Sequence, residues 1–381
     1  MTAGWLICAG FIVAIFKTDV PTALTISACL TPTDPVLAAS VLSNSQFSTR
    51  VPKRIRDLLS AESGCNDGVS FPFLYIGLNL INKSTAGGVL KEWFLITVLY
   101  QCALGITLGT VLGYLFNALF VFSHKRDMMG RASYLAFYLL LAVFSIGLAS
   151  LLGVDDFLVA FCAGCGFSHR GNSPTAETRL PVIIDLMINS AFFVFFGAMI
   201  PWESFNQLDL ITPGRLVGLL VLVLAFRRIP VVFGLYKLKF LPAIRTATEA
   251  MFVGHFGPMG VGAIFLAIEA RAQLETETSL PLPHPPADMD PKKERAVTLV
   301  WPIVCFIVLG STLFHGLSTL AISVGGHFSR HEGERAPLIG GERDGLHGMI
   351  FDEGEDAATS DNDGRDEDDE AEYRGYNQGR L

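Results

Sequence analysis

Charge is scarce over most of this chain. Lysine, arginine, aspartate and glutamate make up 17% of its 381 residues, where a soluble domain carries about 25%. The deficit is larger than that figure, because the acids are segregated: residues 352–372 hold twelve carboxylates and one arginine, a balance of −11. Subtracting −11 from the formal −8 leaves about +3 for everything else, nearly all of it in short loops. Such a chain cannot clothe a water-soluble domain, and a hydrophobic share of 51% with a mean hydropathy of +0.45 takes the place of the missing charge. A disulfide framework is missing too. The seven cysteines, Cys8, Cys29, Cys65, Cys102, Cys162, Cys165 and Cys305, all fall in apolar segments. Cys162-Ala-Gly-Cys165 has redox spacing, yet it sits among Phe, Val and Gly, where small residues serve close helix approach. No phosphate-binding loop ending in Lys-Ser/Thr is present, so nucleotide-driven work, a cofactor and a nucleic-acid partner are not expected. The first apolar stretch follows Met1 almost directly, without a leader and cleavage site.

What the chain has instead is ten apolar segments, at 3–16, 20–42, 58–81, 93–122, 133–152, 157–168, 180–200, 216–236, 246–268 and 296–324. These lengths and compositions predict an all-α polytopic membrane protein in the lipid bilayer, with a membrane domain over 1–326. The polar, acidic tail over 327–381 is expected to be disordered. With ten spans, one set of loops carries twelve Lys and Arg (Arg50 to Arg56, Lys125 to Arg131, Arg170, Arg179, Lys237 to Arg245) and the other carries eight. That bias places the richer set and the tail in the cytoplasm.

The segment over 58–81 holds only two charges, Glu62 and Asp67, within Ala61-Glu-Ser-Gly-Cys-Asn-Asp-Gly68. Ionisable groups in a membrane span persist where they pair or line a watery path. Five positions apart, the two acids lie about 140° apart on a helix, so they serve different partners. The alternative is a soluble core helix with two satisfied acids. Asp34 falls in Thr31-Pro-Thr-Asp-Pro35 near mid-span, where Pro32 and Pro35 disfavour helix. Either the helix breaks there and lines a cavity beside Asp67, or it kinks and Asp34 caps its second half. Gly254-His-Phe-Gly-Pro-Met-Gly-Val-Gly262 predicts a second broken helix, at Gly257 and Pro258. Two such segments, one in each half, mark an inverted-repeat transporter with its site where they cross. Arg227 and Arg228 sit too centrally to snorkel, and at least one should pair with Glu62. Asp155 and Asp156 precede a helix as caps or stand at an ion entrance. Asp185 and Asn189 are polar groups of a helix end or of the site. His255 is a packing or backbone-capping residue, or a pH-modulating one.

Four of these stretches, Thr31-Pro-Thr-Asp-Pro-Val-Leu37, Leu59-Ser-Ala-Glu-Ser-Gly-Cys-Asn-Asp-Gly68, Phe226-Arg-Arg-Ile-Pro230 and Gly254-His-Phe-Gly-Pro258, resemble in order those of the fungal plasma-membrane alkali-cation/proton antiporters, within the wider sodium/proton exchanger superfamily. The resemblance spans about 3–324. It implies an inverted-repeat fold of thirteen helices with two crossed broken helices and a homodimer contact. About ten of those helices are expected here, so the chain is expected to be N-terminally truncated. By position, the resemblance makes Asp67 the acid that binds cation and proton in turn and Asn66 its amide neighbour. Thr33 and Asp34 become unwound-helix contributors and Ser63 a further ligand, with Na+ or K+ held at Asp67. Glu62 pairs structurally with Arg228 or, alternatively, Arg227.

The expected activity is antiport of Na+, with K+ and Li+, against H+ across the plasma membrane, for cation extrusion and pH regulation. The protein is not expected to be an enzyme. A cation channel using the same acids is the nearest rival, and opposed proton and cation fluxes separate the two. An intramembrane enzyme such as a protease or acyltransferase, built on Ser63 and His255, and a non-transporting sensor or scaffold acting through the tail are the others.

Overall fold

With no water to bond inside a bilayer, backbone groups must satisfy one another within each segment. Every regular element among the described residues is accordingly a helix. The computed structural model describes residues 1–34, 51–83, 85–126, 128, 131–169, 180–207 and 210–328. The helices are α1 (Thr2–Phe16), α2 (Val20–Leu30), α3 (Lys53–Gly68), α4 (Phe71–Asn82), α5 (Ala86–Glu92), a π-helical stretch (Trp93–Ala103) and α6 (Leu104–Lys125). They continue with α7 (Arg131–Leu152), α8 (Asp156–Ser168), α9 (Leu180–Met199), a short 3-10 turn (Trp202–Asn206), α10 (Pro213–Phe226) and α11 (Ile229–Lys237). The last are α12 (Ala247–His255), α13 (Val261–Glu275) and α14 (Pro291–Phe328). Among the described residues, three stretches are by length and composition long and apolar enough to cross a membrane: Ala86–Lys125, Pro213–Lys237 and Pro291–Ser318. Five further apolar helices are shorter.

Local chemistry sets the ends of these helices. Asp19 caps α2 by accepting from the Thr22 amide at 3.1 Å, with Pro21 in the first turn where its missing donor costs nothing. Thr25 and Thr31 return their hydroxyls to the carbonyls one turn back, Pro21 and Ser27, so α2 buries polar side chains without orphans. Trp5 donates to the Leu24 carbonyl at 2.9 Å and Ser27 to the Trp5 carbonyl at 2.5 Å, which fastens α1 to α2. The main apolar core is shared by α1, α2, α4, α10, α13 and α14.

Close approach by small residues is clearest between α6 and α8. Gly105, Gly109 and Gly113 recur every four residues and face Val159, Cys162, Ala163 and Gly166. A β-carbon on Gly166 would stand 2.6 Å from the Thr110 carbonyl, and one on Gly113 would strike the Ala163 carbonyl. The Cys162–Cys165 stretch therefore packs as small residues against a glycine stripe, with both thiols free.

Two spans expected to be continuous are divided. Residues 58–81 form α3 and α4 with a break at Val69–Ser70, because Gly68 ends one helix and Pro72 opens the next. Residues 216–236 are interrupted at Arg227–Arg228, just before Pro230. Lys53, Arg54 and Arg56, expected in a basic loop, belong to the first turns of α3, which Pro52 opens. Pro35, Arg50, Arg170, Arg179, the side chain of Asp185 and the tail from 329 lie outside the described residues.

Candidate functional site

The site is built where two helices stop short. α2 ends at Leu30, and Thr31 to Asp34 continue without helix. α12 ends at His255, and Phe256 to Gly260 run non-helical before α13 begins. The two unwound segments cross and bond. The Asp34 amide donates to the Pro258 carbonyl at 2.8 Å, and Asp34 Oδ2 accepts from the Val261 amide at 2.9 Å. Asp34 thus sits at the N-terminus of α13, where the helix dipole favours an anion. It caps this other broken helix, whereas the kink alternative had it capping the second half of its own.

α3 supplies the third side. Thr33 donates its amide to Asn66 Oδ1 at 3.1 Å and receives Asn66 Nδ2 on its hydroxyl at 2.9 Å. Ser63 Oγ meets the same hydroxyl at 2.9 Å. Thr33, Ser63 and Asn66 therefore form one buried polar knot, next to Asp67. The Asp67 carboxylate makes no hydrogen bond or ion pair among the described residues, and it feels the charge of Asp34. Two glycines leave room for the acids. A β-carbon on Gly262 would stand 2.7 Å from Asp67 Oδ1, and one on Gly260 would overlap the Asp34 carboxylate.

The adjacent arginines have different partners. Arg228 holds Glu62 with two bonds, Nη1 to Oε1 at 2.5 Å and Nη2 to Oε2 at 2.9 Å, and also reaches the Val253 carbonyl at 3.0 Å. Its guanidinium lies over Gly257, where a side chain would occupy the same space. Arg227 faces backbone instead. It donates to the carbonyls of Leu30 at 2.5 Å, Thr31 at 3.3 Å and Pro32 at 3.4 Å, and to that of Gly257. One buried cation thus serves the carbonyls freed at both helix breaks. His255 Nε2 meets Ser318 Oγ at 3.1 Å, and His315 Nε2 meets the His255 carbonyl at 3.0 Å. Ser311 on α14 accepts from the Met259 amide at 3.0 Å.

Sequence reasoning missed four of these groups. The backbone role of Arg227 left no signal beyond a central arginine. Gly260 and Gly262 were visible in the glycine run but not assigned to the two acids. Ser311 and His315 looked like ordinary polar residues of an apolar helix. Arg54 binds Glu249 through both guanidinium nitrogens, at 2.7 and 2.9 Å, and so clamps α3 to α12. No spacing rule links residues that far apart.

Two interrupted helices crossing at a buried carboxylate define a helical membrane protein of the inverted-repeat antiporter fold. The sequence profile described as "Sodium/hydrogen exchanger, transmembrane" matches residues 1–324, and the chain belongs to this sodium/hydrogen exchanger family. It is 44% identical over 337 residues to a Na(+)/H(+) antiporter of Saccharomyces cerevisiae, covering 86% of this chain and 34% of that protein. It is 41% identical over 337 residues to Na(+)/H(+) antiporter 2 of Zygosaccharomyces rouxii, covering 86% of this chain and 41% of that one. The chain thus spans well under half the length of these relatives. Among solved structures, the sodium proton antiporter MjNhaP1 of Methanocaldococcus jannaschii superposes with a TM-score of 0.57 at 16% identity. The match covers 83% of this chain and 76% of that one, and it speaks for the fold.

Proposed function

We propose that this chain carries the ion-translocating site of a secondary antiporter that exchanges Na+, and also K+ and Li+, for H+ across the plasma membrane. The observation that carries the reading is Asp67: a carboxylate without a hydrogen bond among the described residues, beside Asp34, at the crossing of two broken helices. A hard monovalent cation seeks several oxygens. Asp67 supplies charge, and Thr33, Asp34 and Ser63 supply further oxygen around it. A proton on Asp67 and a cation at Asp67 exclude one another, so one carboxylate couples the two fluxes. With either bound, its charge is neutralised and the site can change sides; bare, it resists leaving its watery face. Asn66 does not titrate, and by fixing the Thr33 amide and hydroxyl it keeps the unwound segment in place. The Glu62–Arg228 pair and Arg227 hold the scaffold. The tail from 327, placed on the cytoplasmic side, takes no part in the exchange step.

The test is cation-driven pH change in vesicles containing the purified chain. Asp67→Asn should abolish exchange while leaving helix content and insertion intact. Retained cation-dependent proton flux in that variant would show that another group carries the charge.

A further inference from the structure

Beyond the crossing, a second set of oxygens collects that the exchange step leaves unused. Glu269 lies seven positions past Gly262 on α13, and Tyr75 lies eight positions past Asp67 on α4. Both helices lead away from the site toward the end of the bundle that carries the α4–α5 and α13–α14 connections. Seven helical residues place Glu269 about 10 Å from the crossing. There Glu269 Oε1 accepts from the Tyr75 hydroxyl at 3.1 Å and from Gln273 Nε2 at 3.0 Å. Aromatic packing brings in a third helix: Phe157 meets Phe265 edge-on at 4.7 Å, and Phe71, stacked on Tyr75 at 6.0 Å, reaches Phe265 at 6.3 Å. The N-terminus of α8, with Asp155 and Asp156, is thereby seated against α4 and α13. The charge of Asp156 is felt at Glu269, and that of Glu269 at Asp155.

Capping accounts for only part of this arrangement. Asp155 Oδ1 accepts from the Leu158 amide at 3.0 Å, and Asp156 Oδ1 accepts from the Phe157 amide at 2.9 Å. A residue that only caps leaves its second oxygen in water. Asp155 is 1% exposed, and its Oδ2 has no hydrogen-bond partner among the described residues. Gln101 on the π-helical stretch lies beside Tyr75, and its Oε1 is buried with no hydrogen-bond partner among the described residues. Both orphans are acceptors, and the neighbouring Glu269 adds a carboxylate, so the group that fits here is a cation. Among the described residues no three His, Cys, Asp or Glu side chains converge tightly enough to hold a metal ion. So few fixed ligands suit a cation that keeps part of its water, and the exchange reading makes it a monovalent one.

We propose that Asp155, Gln101 and Glu269, with Tyr75 as the bridge, form a second station for a partly hydrated monovalent cation between Asp67 and that end of the bundle. The inference rests on the exchange reading and extends it, by giving the ion a stop before the coupling carboxylate. The test is equilibrium binding of radioactive Na+ to the purified full chain and to Asp67→Asn, Asp155→Asn and the double variant. Asn at 155 keeps the capping oxygen on Leu158 and replaces the orphan acceptor with an amide donor, so the fold should survive. Asp67→Asn should retain saturable binding, and adding Asp155→Asn should weaken it about tenfold. Gln101→Leu, which removes an acceptor without removing a charge, should weaken it in the same direction. In vesicles, Asp155→Asn should raise the KM for Na+ on one face of the membrane and leave kcat and the opposite KM unchanged. Complete loss of binding in Asp67→Asn alone overturns the station and leaves the Asp67 reading standing. Equal binding by Asp67→Asn and the double variant overturns it too. Binding that survives Asp67→Asn and disappears with Asp155→Asn supports it, whatever becomes of Asp67 as carrier.

Discussion

Arg227 and Arg228 are neighbours in sequence and strangers in what they hold, and mutant cycles should tell them apart. Removing one partner of a buried ion pair costs about 3–5 kcal/mol. The Glu62 side chain is 36% exposed and that of Arg228 10%, so water screens the pair and about 2 kcal/mol is expected for Glu62→Gln. Arg228→Gln should cost more, because it also strips the Val253 carbonyl of its donor at 3.0 Å. In the double variant neither charge is left behind, and the two losses should fall short of their sum by about 1–2 kcal/mol. Arg227→Gln uncovers the Leu30 and Gly257 carbonyls and the more distant Thr31 and Pro32. At about 1–3 kcal/mol for each buried acceptor left unbonded, and with Gln able to recover one, about 3 kcal/mol is expected. Combined with Glu62→Gln, that loss should add within about 0.5 kcal/mol. Denaturant titration in detergent, followed by circular dichroism, measures all six proteins. Additivity between Glu62 and Arg228, or strong coupling between Glu62 and Arg227, would refute the assignment of partners.

Other substitutions probe the site and the packing around it. Gly262→Ala puts a methyl 2.7 Å from Asp67 Oδ1 and should lower the rate of cation-driven pH change in vesicles while leaving helix content unchanged. Gly218→Ala, where nothing stands within 4 Å, is its control and should gain about 0.5–1 kcal/mol of stability. Gly113→Ala drives a methyl into the Ala163 carbonyl and should lower thermal stability by about 1–3 kcal/mol through overpacking between α6 and α8. Truncation after Ser329 should leave maximal exchange near normal and shift its pH dependence modestly, as read in the same vesicle assay.

The fold class was legible because charge exclusion is a property of whole segments, and no tertiary contact is needed to read it. The helix breaks near Asp34 and Pro258 were legible because proline and glycine act on the backbone locally. The division after Asp67 was not anticipated, although Gly68 and Pro72 flank it. An apolar run of helical length hid a break that removes no apolar residue. Residues stood out in the sequence where intramembrane charge made them conspicuous, as with Glu62, Asp67 and the arginine pair. They were missed where their role is to fill or to leave space. Gly262 matters through the β-carbon it lacks, and Glu269 through neighbours on α4 and α8 that are distant in sequence.

On the proposed exchange reading, the arrangement of fixed charge singles out Asp67 as the exchanging group. A helix C-terminus presents carbonyls and a partial negative charge, and an N-terminus presents amides and a partial positive one. At the crossing, the C-terminal ends of α2 and α12 both face Arg227, which donates to Leu30 and to Gly257. The N-terminal end of α13 faces Asp34, which accepts from Val261. Glu62 is held by Arg228, and Glu249 by Arg54. Each of these charges has a counterpart that stays with the protein. Asp67 has none among the described residues, with Gly262 opening the space beside it. On that reading its counter-charge arrives from solution, as a proton or as a cation, one at a time. Placing a permanent partner there should remove the need for either. Gly262→Lys, if it inserts, is accordingly expected to abolish both fluxes together rather than uncouple them. Proton leak without cation movement in that variant would show that the two do not share one carboxylate.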